Sequence, residues 1–165
     1  YADNLAFSPD VIAQAKAALC NGATIVTDTN MALSGISKPS LTKLGAKALC
    51  LMADPDIARE AKERGVTRAV VSMEHAARLD GPLIFAVGNA PTALIRLHEL
   101  IGRDEVKPAL VIGVPVGFVN VVEAKELFIG GKTPYIIARG RKGGSNVAAA
   151  IVNALLYQLI RREGF

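Results

Sequence analysis

Short continuous apolar runs, each closed by a turn of Gly, Pro, Asn or Asp and followed by a stretch with helical spacing, recur along this chain. The runs predict five strands, at about Thr24–Thr27, Ala48–Met52, Leu83–Val87, Ala109–Ile112 and Tyr135–Ala138. Between them lie helices with readable ends. Ser8 as cap, Pro9 in the first turn and Gly22 past the end bound the first, and Asp54-Pro55 opens another that stops at Gly65. A third runs from Thr67 to about Leu79, and Pro91 begins one that closes at Gly102. Phe118 to Phe128 reads as helical, and Ser145 caps a final helix through about Arg162. Strands that are apolar throughout, alternating with helices, predict a parallel sheet covered on both faces. The expectation is an α/β fold: a single-domain, doubly wound, mostly parallel five-stranded sheet flanked by helices, Rossmann-like, over residues 1–165.

Composition narrows the class. A chain of 165 residues with 51% apolar and 21% charged positions is ordinary globular material, which argues against disorder or a coiled coil. No apolar run approaches the roughly 20 residues that span a bilayer, and no basic-then-apolar leader opens the chain. A soluble cytoplasmic protein with no membrane partner is expected. Cys20 and Cys50 sit singly inside apolar segments and are expected to be small buried hydrophobes, neither disulfide nor metal ligands. The net charge of +4 comes without a lysine-rich tail or interleaved aromatics, favouring small anionic molecules over nucleic acid.

Ligands of open parallel sheets bind beyond the carboxyl ends of the strands. The turns there are the chemically loaded ones: Thr27-Asp28-Thr29-Asn30-Met31, Gly88-Asn89-Ala90-Pro91-Thr92, Gly113-Val114-Pro115-Val116-Gly117-Phe118, and Arg139-Gly140-Arg141-Lys142-Gly143-Gly144-Ser145-Asn146. In the last, glycines let backbone N–H groups approach a ligand, a helix start adds partial positive charge, and two arginines offer forks for carboxylate or phosphate. A solvated cationic turn would look the same. Asp28 is either a ligand or base residue or a cap; Glu123 suits a helix N-terminal half. His75 and His98 fall inside helices and read as surface or interface residues. The run Gly130-Gly131-Lys132-Thr133 lacks the phosphate-loop context, with Glu126 where the first glycine would stand, and no strand leads G-x-G-x-x-G into a helix, so a nicotinamide cofactor is unsupported. No Ser or Cys nucleophile is paired with a His by local signature.

The runs Gly88 to Leu94, Gly113 to Val119 with Glu123 and Lys125, and Arg139 to Ser145 together resemble the precorrin-8X methylmutase family, also called cobalt-precorrin-8 methylmutase. The stretch from Asp28 to Ile36 is similar as well, and matches follow the family's order from about Phe7 to Tyr157. The resemblance implies an isomerase of cobalamin biosynthesis that moves a methyl group from C-11 to C-12 of a corrin precursor, with no dissociable cofactor. It implies a homodimer whose subunits help form each other's sites, and a tetrapyrrole substrate bearing many carboxylates. Carried over residue by residue, the substrate site would comprise Asp28, Met31, Asn89, Thr92, Pro115, Gly117, Phe118, Glu123, Lys125, Arg139, Arg141, Gly143, Gly144 and Ser145, with Arg139 and Arg141 anchoring carboxylates.

Two departures qualify this. The family's proton-handling histidine precedes the stretch matching Phe7-Ser8-Pro9-Asp10, and neither His75 nor His98 falls on its position. The expectation is a catalytic histidine upstream of Tyr1, in a segment ahead of this chain; a relative without it, acting as a non-catalytic corrinoid carrier or product-holding module, stays open. So, more distantly, does a phosphate-ester enzyme on the same fold. Ala124 stands where the family commonly has serine, and peripheral acids do not reveal whether the ring contains cobalt.

Overall fold

In the computed structural model, which describes residues 4–162, the apolar runs do form one sheet. It contains β1 (Leu5–Phe7), β2 (Thr24–Thr27), β3 (Lys47–Cys50), β4 (Leu83–Val87), β5 (Leu110–Gly113) and β6 (Tyr135–Ala138), in the spatial order β1-β6-β5-β4-β2-β3. Every pairing is parallel except β1 with β6. Strands β2, β4, β5 and β6 are buried along their whole length, as strands covered on both faces must be.

Register puts apolar side chains in rows. Val26, Phe85, Val111 and Tyr135 are successive cross-strand partners on one face, and Ile25, Ile84 and Leu110 on the other. The first row packs beneath α5 (Arg68–Ala76), α6 (Pro91–Gly102) and α7 (Val121–Glu126). The second packs beneath α1 (Val11–Cys20), α2 (Asn30–Gly35), α3 (Lys38–Leu44) and α8 (Ser145–Arg162). Helix α4 (Pro55–Arg64) lies outside α5, setting Ile57 and Ala61 against Val71.

The sheet has six strands, not five. Three residues are too few to show a period, and β1 is fixed by distant contacts: Leu5, Ala6 and Phe7 pair with Ala138, Ile137 and Ile136. Ser8 is part of that pairing and not a helix cap. Its hydroxyl accepts the Tyr135 N–H at 2.8 Å and its own N–H donates to the Tyr135 carbonyl at 3.0 Å. The first helix starts at Val11 behind Asp10, which adopts φ 60° and makes no side-chain cap. Two short helices not anticipated, α2 and α3, fill the segment after β2; Thr29 and Ser37 cap them by accepting the Ala32 and Ser40 N–H groups. Helix α7 is shorter than expected, α5 ends at Ala76 instead of Leu79, and Ser145 is the first residue of α8 instead of its cap. Cys20 is exposed at the end of α1, against the expectation of burial, and Cys50 is half-buried.

Chain order reverses between β2 and β4, since β3 lies on one side of β2 and β4 on the other. The crevice beyond their carboxyl ends is where this architecture takes ligands. Asp28 and Gly88 are its two lips.

Ser8→Ala strips the buried Tyr135 N–H of its acceptor. The unfolding free energy in a urea titration should fall by about 1–3 kcal/mol; no change would mean that β1 is held by its backbone pairing alone.

Candidate functional site

Asp28 follows the last residue of β2 and is 0% exposed. Both carboxylate oxygens are in use: Oδ1 accepts the Gly88 N–H at 2.9 Å, and Oδ2 accepts those of Asn89 at 2.9 Å and Ala90 at 2.6 Å. Burial raises its pKa, and the three backbone donors pull the other way. These donors lie between the end of β4 and the first turn of α6, so the carboxylate pins the loop that leads into that helix. Asp28, expected as a ligand contact, is placed by the structure as a strut that ties β2 to β4 across the crevice. Asn89 stays exposed above it, and Thr92 is half-buried with its Oγ1 3.3 Å from that of Thr67, the cap of α5.

The start of α8 presses onto the same crevice. A Cβ on Gly88 would lie 2.7 Å from the Gly144 carbonyl oxygen and 2.8 Å from the Ser145 Cα, so only glycine admits the helix this close. The Ser145 hydroxyl sits 2.7 Å from that of Thr29, joining α8 to the loop after β2. The turn ahead of α8 is stitched to the loop after β5: Gly144 N–H donates to the Val114 carbonyl at 2.8 Å, and Gly117 N–H donates to the Arg141 carbonyl at 3.1 Å. Gly143 fits between them with no room for a side chain, since its Cβ would fall 1.9 Å from the Val114 oxygen.

Lys125 on α7 is placed under this turn, 0% exposed. Its Nζ donates to the carbonyls of Gly140 at 2.7 Å and Lys142 at 2.9 Å, and burial lowers its pKa from the ordinary 10.5 to about 8. Arg139 has a carboxylate partner within the chain: Nε and Nη2 grip Glu126 at 3.1 and 2.8 Å. Arg141 makes no ion pair among the described residues, and its guanidinium lies 5.7 Å from the Phe118 ring centroid. Phe118 is 82% exposed, Val119 78% and Met31 66%, while Pro115 is buried and Glu123 exposed on the first turn of α7.

The structure therefore gathers the four loaded loops at one end of the sheet but divides their residues by task. Asp28, Lys125, Gly143, Gly144 and Ser145 hold the loops together. Met31, Asn89, Phe118, Glu123 and Arg141 face outward. Thr29 and Gly88, which the sequence marked only as members of loaded turns, hold the start of α8 against the crevice. His75 Nε2 is 2.9 Å from Glu60 and His98 sits edge-on to Phe128, so neither belongs to this rim. Among the described residues there is no cluster of three or more His, Cys, Asp or Glu able to hold a metal, and no helix long and apolar enough to cross a membrane. A groove of about 710 Å³ opens at the opposite end of the sheet, between Gly81, Val106, Lys107, Lys132 and Pro134, remote from these loops.

Comparison with known proteins places this arrangement. The family profile for precorrin-8X methylmutase matches residues 1–158. The chain is 48% identical over 158 residues to a cobalt-precorrin-8 methylmutase of Salmonella typhimurium, covering 95% of this chain and 73% of that one. It is 42% identical over 156 residues to a precorrin-8X methylmutase of Pseudomonas aeruginosa, covering 93% and 74%. A crystal structure of the precorrin-8X methyl mutase from Thermus thermophilus superposes with a TM-score of 0.87 at 36% identity, covering all of this chain and 80% of that one.

Asp28→Ala leaves three backbone donors without an acceptor and should cost about 3 kcal/mol of unfolding free energy. A loss under about 1 kcal/mol in chemical denaturation would show that water takes the carboxylate's place. Lys125 gives a pH signature. Below pH 8 the folded protein carries the cost of a buried ammonium; between about 8 and 10.5 it sheds a proton that the unfolded chain keeps, so stability rises with pH. The neutral amine retains enough N–H donors for both carbonyls. The unfolding free energy of wild type relative to Lys125→Met should therefore climb by up to about 1.4 kcal/mol per pH unit across that window, and a flat difference would show that the burial is costless.

Proposed function

The chain belongs to the precorrin-8X methylmutase family, and from that premise we propose that it is an isomerase of cobalamin biosynthesis, moving a methyl group from C-11 to C-12 of precorrin-8X or its cobalt-containing form. The observation that carries the reading to this chain is the rim itself. The Arg141 guanidinium, which makes no ion pair among the described residues, lies against the exposed Phe118 ring on a rim where Met31 and Val119 are exposed as well. A large planar ring with acidic substituents needs such a surface: apolar area for the macrocycle and forked or amide donors for its carboxylates.

The reaction transfers the methyl with its bonding pair between adjacent ring carbons, and no atom is gained or lost. Such a sigmatropic shift needs no nucleophile. It needs the ring held in one orientation and its electron distribution biased by protonation. Arg141 anchors a carboxylate, and Phe118, Val119 and Met31 cover ring surface. The resemblance assigns the proton to a histidine ahead of the stretch that matches Phe7. Two copies of the chain complete the site, which accounts for apolar side chains as exposed as Phe118 and Val119. The relatives' names as methylmutases do not favour a non-catalytic carrier.

The full-length protein should convert precorrin-8X, or cobalt-precorrin-8, to a product with the methyl at C-12. Bound but unrearranged substrate, under conditions where the Salmonella typhimurium relative turns over, would sink the proposal. Arg141→Ala should weaken product binding by about 1.5–3 kcal/mol. Arg139→Ala should weaken it far less, because Glu126 already occupies that guanidinium.

A further inference from the structure

A peptide unit is planar and trans, so its carbonyl and its N–H point in opposite directions. Lys125 therefore fixes more than two carbonyls. By drawing the Gly140 and Lys142 oxygens to its buried Nζ, at 2.7 and 2.9 Å, it turns the N–H groups across those same peptide bonds, of Arg141 and Gly143, away from the core. Among the described residues neither N–H donates to a protein acceptor. The peptide between them is fixed separately, its Arg141 carbonyl taking the Gly117 N–H. Two amide donors thus stand free on the outer side of a turn whose Arg141 and Lys142 side chains are exposed.

The neighbouring loop is wired in the opposite sense. Asp28 draws the Gly88, Asn89 and Ala90 N–H groups inward, so that loop has no such donors to offer an anion. A buried anion has used one set of amides, and a buried cation has freed another.

We infer that Lys125 is a positioning residue: by holding the Gly140 and Lys142 carbonyls, it turns the amides of Arg141 and Gly143 outward, beside the Arg141 guanidinium, toward carboxylates of the ligand. The inference rests on the reading of this rim as the site of a carboxylate-bearing ring, and it adds a backbone subsite and the residue that builds it. Outward-facing backbone amides with a flanking cation suit a ligand that carries several carboxylates.

The test uses the full-length, nitrogen-15-labelled protein titrated with sodium acetate against sodium chloride at equal ionic strength. The Arg141 and Gly143 amide resonances should shift saturably with acetate, and those of Gly88, Asn89 and Ala90 should stay still. In Lys125→Met the acetate response should vanish although Arg141 remains; the rest of the spectrum reports whether the variant is folded. Silent Arg141 and Gly143 amides in wild type would overturn the inference even if the variant did not fold, and so would a folded variant that responds like wild type. The rearranged corrin product separates this from the proposed activity. Amides that respond to acetate in a protein that binds no tetrapyrrole would sink the proposed function alone, whereas product binding with silent amides would sink the subsite alone. With activity in hand, Lys125→Met should raise KM about tenfold and leave kcat within about twofold, the pattern of lost ground-state binding. Methyl-esterified product should bind wild type and variant equally.

Discussion

A carboxylate taken fully out of water survives only if its lone pairs are used, and Asp28 uses both oxygens on three backbone N–H groups. Much of the rim depends on that arrangement. It joins the carboxyl ends of β2 and β4, the two strands that diverge at the switch point, and it sets the height of the loop into α6. With that loop pinned, Gly88 can meet Gly144 and Ser145 at distances that no side chain would permit. The start of α8, and with it the turn from Arg139, is thereby placed against the crevice. The strut also uses the three backbone donors of the loop ahead of α6, which are therefore not left for an anion.

Lys125 answers this on the other side of the crevice with the opposite charge. A buried ammonium is costly, and its pKa of about 8 reports that cost. The cost is offset by the two carbonyls that accept its hydrogen bonds. Turning carbonyl dipoles inward beneath an anion site removes repulsion and leaves N–H groups on the outside. An arginine would do this less well: its planar fork is too broad for a closed pocket that takes one nitrogen. The arginines of the turn have different fates for a related reason. Arg139 is claimed by Glu126, whereas Arg141 is steadied on Phe118 and makes no ion pair among the described residues.

What could be read in the sequence follows from how local each signal is. Strands β2, β4 and β6 were legible to the residue because each is an uninterrupted apolar run closed by a turn. Helix α6 was legible from Pro91 at its start. Strand β1 was not, because its three residues gain meaning only from β6, far along the chain. Helices α2 and α3 are each held by a hydroxyl cap and a few contacts to α8, too short for periodicity to show. The loaded loops could be found by residue type and strand-end position. The direction in which each charged side chain points could not, so Asp28 and Lys125 read as ligand contacts when they lie beneath the surface. Nor could Arg139 be separated from Arg141, since the Glu126 that distinguishes them is thirteen residues away on another element.

The division between buried and exposed charge fits a reaction governed by orientation. When a methyl migrates between neighbouring ring carbons, the enzyme gains most by holding the ring still, and a displacement near 1 Å can cost about a hundredfold in rate. A glycine-rich turn is ordinarily a poor device for that, because glycine is the most mobile residue in the unfolded and loop states. Here the glycines are confined by contact: Gly143 against the Val114 carbonyl, and Gly88 against Gly144 and Ser145. Their lack of side chains serves close packing, and the buried charges of Asp28 and Lys125 lock the peptide planes that remain. The turn combines the backbone access of glycine with the stiffness of a packed core, which is what the proposed binding of a carboxylate-bearing ring calls for.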